Sequence, residues 1–234
     1  MTDKVMPRPR WIAFDCFTTL MDREAGGVPA MERILANAGA AKSDAAALFN
    51  EWHHAVIRRY RTRFVTWKEA GRAAMTEIGE RHGLALGPDA ANAIYESMPS
   101  WPAHADAEPV LSKLKRHFKL AIVTNMDTDL FRSTRLPVEF DGAVTSEMAY
   151  AYKPHPAIFD YALRKFPCVR SELLWVGTAI WADVVGARLA NLRVVWIKRP
   201  MGMSVGAMDL TAWDPVPDFQ FEGLYGLLDL LDVS

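Results

Sequence analysis

Four segments of the chain place polar, reactive side chains directly after apolar runs. The first is Trp11 to Leu20, WIAFDCFTTL, where a β-type run ends in Asp15 and a polar turn with Thr18 and Thr19 follows. The second, Lys119 to Asn125, ends in Thr124 and Asn125. The third carries Lys153 ahead of Pro154, which biases Lys153 toward extended or turn conformation. The fourth, Leu173 to Ala187, runs into Gly177-Thr178, with Asp183 beyond. Short apolar runs bounded by turn signals read as buried strands. A carboxylate can act as a nucleophile through a covalent ester. An isolated Asp after an apolar run is more often a cap or turn residue. Here Asp, Thr/Asn, Lys and Asp recur at four strand exits. They can converge only if the strands are parallel and adjacent, because the crevice of an open α/β sheet lies at the carboxyl ends of its strands.

The elements needed to bring them together are visible in outline. Strands are expected at Leu120–Val123, Leu173–Val176 and Val194–Ile197, and helices at Val110–His117, Ile158–Lys165 and Ala182–Ala190. Such alternation gives a doubly wound parallel sheet with helices on both faces, an α/β fold. Residues 21–105 interrupt the pattern. They are Ala-rich, with apolar residues at helical spacing in Met31–Ala38, Ala45–Ile57 and Ala70–Ile78. Gly26, Gly27 and Pro29 are expected to punctuate the start of this insert, and Met98 to Pro102 its end. The domain expectation is therefore a core of residues 1–20 and 106–234 with a helical cap over residues 21–105. The stretch Met201 to Pro217 reads as a Gly/Pro-punctuated loop.

The four segments together resemble the haloacid dehalogenase superfamily of hydrolases, whose four motifs occur in this order. FDCFTTL, TNMDTDLF and AYKPHPAIF are similar to the motifs of the type II 2-haloacid dehalogenase-like branch. The resemblance implies a Rossmann-like core with an inserted cap and hydrolysis through an aspartyl ester. Asp15 would be the nucleophile, Lys153 its cationic partner, and Asp183 the group orienting Lys153 or the hydrolytic water. Thr19, Thr124 and Asn125 would bind the ester or the substrate carboxylate, and Phe17 would form an apolar wall. Superfamily phosphatases carry a second Asp where Phe17 stands, and a metal-holding Asp where Thr178 stands. The resemblance therefore implies no metal and no cofactor, with Mg²⁺ required only by the phosphatase alternative. Thr18 replaces the usual Gly, Thr124 the usual Ser, and Ala179 another frequent Ser. A ring-opening hydrolase and a non-catalytic binding protein stay open as further alternatives.

Within the insert, RRYRTR supplies Arg58, Arg59, Arg61 and Arg63, of which Arg58 and Arg59 are candidates to hold a substrate carboxylate or halide. Trp67 is a candidate pocket wall. His53 and His54 are adjacent, point to different sides of a helix and lack a carboxylate at ligand spacing, so no metal site is expected there. Cys16 neighbours Asp15 but alternates onto the opposite face, and reads as a packing residue. A formal net charge of −1 gives no reason to expect nucleic acid or an acidic membrane as partner. No apolar run is long enough for a membrane span. Two cysteines imply no disulfide framework, so a reducing cytoplasm is expected. The expected partner is a small carboxylic acid, and a homodimer is an open expectation.

Overall fold

The computed structural model describes residues 8–199 and 216–233; the stretch 201–215 expected as loop lies outside them. Six strands form one parallel sheet: β1 (Trp11–Phe14), β2 (Lys119–Thr124), β3 (Gly142–Thr145), β4 (Leu173–Gly177), β5 (Arg193–Ile197) and β6 (Phe219–Phe221). Their order is β3-β2-β1-β4-β5-β6. Every residue of β1 and β4 is buried, which is why both read as continuous apolar runs and not as alternating ones. Ala13 lies in register with Ala121 on one side and Trp175 on the other. The chain winds outward from β1 to β3, then returns to build β4, β5 and β6 on the opposite side. The order thus reverses between β1 and β4, the place where open α/β sheets form their binding crevice.

Among the described residues there are ten α-helices. Four of them, α1 (Arg23–Asn37), α2 (Ala45–Thr62), α3 (Trp67–His82) and α4 (Asn92–Ser97), belong to the insert after β1. The others are α5 (Ala107–Leu114), α6 (Thr128–Ser133), α7 (Ser146–Ala149), α8 (Pro156–Lys165), α9 (Val185–Leu189) and α10 (Gly226–Leu230). Ile12 and Phe14 pack with α5 and α10 on one face of the sheet, and Trp11 and Ala13 with α8 and α9 on the other. The insert has its own core around Phe49, Trp52 and Met75, which continues onto Met126, Tyr152 and Trp181 at the strand exits. Its first three helices start on side-chain caps: Asp22 for α1, Asp44 for α2, and a Thr66/Glu69 capping box for α3. No helix among the described residues is long and apolar enough to cross a membrane.

Two local expectations are corrected. Gly26, Gly27 and Pro29 do not precede a helix but lie inside α1. The two glycines are there because neighbours come too close for any side chain. A Cβ on Gly26 would sit 2.2 Å from the Trp101 ring, and one on Gly27 would sit 2.0 Å from the Phe49 ring. The helix expected over Ala182–Ala190 divides into a π turn at Ile180–Val184 and the short α9. Thr18, a β-branched residue for which positive φ is unfavourable, nonetheless takes φ +74°. Its N–H donates to the Met21 carbonyl, and its own carbonyl receives His104 Nε2, so the turn is held from both ends.

Candidate active site

Asp15 follows β1 directly, and its backbone N–H donates to the Val176 carbonyl of β4 at 2.9 Å. The sheet thereby continues one step beyond β1 before the chain turns. One oxygen of the carboxylate accepts from the Thr19 hydroxyl at 2.7 Å, and the other from Lys153 Nζ at 2.8 Å. Lys153 arrives from the loop between α7 and α8. The Asn125 side chain at the end of β2 grips its backbone, accepting from the Lys153 N–H at 2.7 Å and donating to its carbonyl at 3.1 Å. Lys153 Nζ also donates to Asp183 Oδ1 at 2.8 Å and to the Val123 carbonyl at 3.0 Å. All three ammonium donors are therefore used, on a side chain that is 1% exposed.

Asp183 sits in the π turn that follows β4. Its second oxygen accepts from the Ala179 N–H at 3.1 Å, and Trp175 Nε1 lies 3.3 Å from the first. Gly177 makes this approach possible, since a Cβ there would fall 2.3 Å from the Asp183 carboxyl carbon. Burial opposes the charge of Lys153, but the two carboxylates more than offset it and its pKa moves upward. One ammonium cannot neutralise two carboxylates. Asp183, fully enclosed, carries the cost: burial raises its pKa to about 6 although Lys153 pulls the other way. Cys16 is buried among Ile12 and Phe14, and burial together with the Asp15 charge pushes its thiol well above the usual range. It is a packing residue with no thiolate character.

These groups open on a cavity of about 100 Å³ between the strand exits and the insert. Phe17, Trp67, Trp101 and Trp181 contribute to its apolar wall, and Thr124 also lines it. Phe17 meets Trp101 edge to face at 5.5 Å, and Trp52 meets Trp67 likewise at 5.4 Å. The insert is fixed over the cavity by Asp127, whose carboxylate accepts from the backbone N–H groups of Trp67 and Lys68 at the start of α3. Tyr152 adds a hydrogen bond to the Val65 carbonyl at 2.8 Å.

Residues 9–191 match the family described as haloacid dehalogenase-like hydrolase. The chain belongs to that family. Among curated proteins it is 26% identical over 229 residues to haloacetate dehalogenase H-2 of Moraxella sp. (strain B), covering 95% of this chain and 97% of the relative. It is 33% identical over 133 residues to a phosphoserine phosphatase of Thermus thermophilus, a match covering 55% of this chain and 53% of that one. The crystal structure of L-2-haloacid dehalogenase from Xanthobacter autotrophicus superimposes with a TM-score of 0.77 at 20% identity, covering 96% of this chain and 98% of that one. At that identity the likeness speaks for the fold.

The position of each expected residue in this haloacid dehalogenase-like hydrolase can now be stated. Asp15, Lys153 and Asp183 form one hydrogen-bonded cluster, and Phe17, Trp67 and Thr124 line the cavity beside it. Thr19 is fully buried, donates its hydroxyl to the Asp15 carboxylate and is not among the residues that line the cavity. Asn125 borders the cavity, but its amide is engaged on the Lys153 backbone. Arg58 and Arg59 do not line the cavity. Both pair with Glu77 on α3, because α2 turns them toward that neighbour. Arg61 lies over the Trp181 ring at 5.9 Å. Arg23 and His53 line the cavity and were not among the expected site residues.

The donor set does not suit the Mg²⁺ of the phosphatase alternative. Phe17 and Thr178 stand where that chemistry needs carboxylates, and the oxygens of Asp15 and Asp183 are already engaged by protein donors. Among the described residues no group of three His, Cys, Asp or Glu side chains could hold a metal ion.

Proposed function

We propose that the protein is a 2-haloacid dehalogenase that displaces halide from a small carboxylic acid through an ester on Asp15. The observation that carries this reading is the setting of Asp15. Lys153 and Thr19 hold its two oxygens, and it opens on a mostly apolar cavity with Phe17 at its wall. The haloacetate dehalogenase similarity over nearly the whole chain supports the same chemistry. One oxygen of Asp15 attacks the halogen-bearing carbon. The C–O bond forms as the carbon–halogen bond breaks, and the halide departs with the bonding electrons. Lys153 keeps Asp15 aimed through its hydrogen bond to one carboxylate oxygen. An apolar wall leaves the attacking carboxylate partly desolvated, which favours displacement at carbon.

Water then attacks the ester carbonyl of Asp15 and passes one proton to Asp183. Collapse expels the product alkoxide, which takes that proton back and leaves as the hydroxy acid. Asp15 loses the remaining proton to solvent. The insert, residues 21–105, acts as the cap that excludes bulk water and supplies the selectivity of the pocket. The free thiols Cys16 and Cys168 suit a cytoplasmic enzyme. A single turnover in heavy-oxygen water tests the scheme. The label should enter the peptide containing Asp15, and label found only in the product would sink the ester mechanism. Halide release from chloroacetate should be indifferent to a chelator.

A further inference from the structure

A carboxylic acid in this cavity needs a cation with donors to spare, and Lys153 has none left. Among the described lining residues the only other cation is Arg23. It opens α1 and is 5% exposed. Nη2 donates to Asn50 Oδ1 at 3.1 Å, and the guanidinium lies 5.4 Å from the centre of the Phe49 ring. Nε and Nη1 are buried without a hydrogen-bond partner. No carboxylate among the described residues forms an ion pair with Arg23. A buried charge with unmet donors is costly. A cation in the first turn of a helix also runs against the macrodipole. Burial lowers the Arg23 pKa to about 10, which still leaves it charged at neutral pH.

On α2, His53 lines the same cavity with Nδ1 buried and unpartnered. Burial, reinforced by the Arg23 cation, pushes its pKa well below the usual imidazole range. The ring is therefore neutral and has one N–H to give. An anion would meet the unpaired donors and offset the buried charge of this corner.

We propose that Arg23, assisted by His53, is the group that binds the substrate carboxylate, an assignment that rests on the reading of a small carboxylic acid as substrate. Lys153 then holds the nucleophile and Arg23 the electrophile, one cation from the sheet and one from the insert. The arginine-rich run from Arg58 to Arg63 is left to the surface of the insert and to its contact with Trp181.

Sodium acetate and sodium bromide serve as probes, titrated against the whole protein and read by tryptophan fluorescence, since Trp52, Trp67, Trp101 and Trp181 all line the cavity. Acetate should bind saturably, and Arg23→Met should weaken it roughly tenfold to a hundredfold, as expected for loss of a charge-assisted hydrogen bond. Arg23→Lys, which keeps the charge with a different donor geometry, should fall between the two, and Arg58→Ala should match the native protein. Arg23→Met should melt at or above the native temperature, because it removes an unpaired buried charge. Unchanged acetate affinity in Arg23→Met and Arg23→Lys would overturn the assignment. So would a loss confined to bromide, which would give the corner to the departing halide. Acetate binding that depends on Arg23, without chloroacetate turnover, would remove the dehalogenase reading and leave the anion site standing.

Discussion

Asp183 divides the proposed reaction into two halves that can be separated by pH and by substitution. Halide displacement needs the Asp15 carboxylate and Lys153, whereas hydrolysis of the ester needs Asp183 able to accept a proton. Burial raises the Asp183 pKa to about 6. The Asp15 charge contributes to that rise and is lost in the ester, so hydrolysis should fail along an acid limb lying below pH 6, and steady-state turnover should fall with it. The first turnover should be spared. Rapid-quench assays at pH 5 should show a burst of one halide per enzyme followed by a slow phase, with the alkyl group on Asp15 visible by intact mass. Asp183→Asn should show the burst at every pH, with the slow phase depressed by roughly a hundredfold to ten-thousandfold. A native steady rate in Asp183→Asn, or an acid limb with no burst, refutes the assignment. In the second case Asp183 would act earlier, by positioning Lys153.

The same ionisation has a consequence for stability. The folded chain holds a proton on Asp183 that the unfolded chain has already lost, so its contribution falls as pH rises from about 4 to about 6. The rise from the ordinary 3.8 to about 6 corresponds to about 3 kcal/mol. Urea melts should therefore show Asp183→Asn gaining on the native protein by about that amount across this window. Thr18→Gly removes a β-branched residue from φ +74°. Relief of about 1–2 kcal/mol, less the added freedom of the unfolded chain, leaves a gain near 1 kcal/mol, or roughly 2–4 °C in melting temperature. Gly27→Ala should lose about 1–3 kcal/mol in the same melts despite better helix propensity, because Phe49 is fully buried and cannot yield to the new methyl. Arg58→Ala and Arg59→Ala break only partly exposed pairs with Glu77. They should cost less than about 1 kcal/mol and leave the ranking of 2-halo acids in a halide-release panel untouched.

The central strands were legible because both faces are covered. WIAF, LAIV and LLWV admit no polar alternation, and their polar exits mark the carboxyl edge of the sheet. The outer strands were not. β3 is four residues beginning Gly-Ala and half exposed at its start, and β6 is three residues of which none is buried. Such edges owe their conformation to one neighbour and leave little trace in local composition. The start of α1 was hidden for a different reason. Gly26, Gly27 and Pro29 carry turn signals by type, yet the glycines answer to Trp101 and Phe49, which are distant in sequence. The π turn that aims Asp183 leaves no signal either, since its residues suit an ordinary helix.

The site divides along the same line. Asp15, Lys153 and Asp183 could be read because Asp15 follows β1 directly and the other two lie in the segments beyond β3 and β4, which parallel register gathers at one edge whatever their separation in the chain. Thr19 and Asn125 lie at the cluster, but their hydrogen bonds go to Asp15 and to the Lys153 backbone, a distinction only geometry makes. The cations of the insert were misjudged for want of a direction. Arg58 and Arg59 stand in a dense run, and density suggested binding, but α2 turns them toward Glu77. Arg23 stands between Asp22 and Glu24 and looks like one member of a charged helix cap. Yet Asp22 caps the backbone and Glu24 receives the Asn50 amide, so neither neutralises the guanidinium directly. A cation in the first turn opposes the helix dipole, and a sequence that keeps one there, buried, needs an anion to offset it. The informative signal was a residue in a position where its charge is unfavourable, and the run of arginines on an accommodating face carried none.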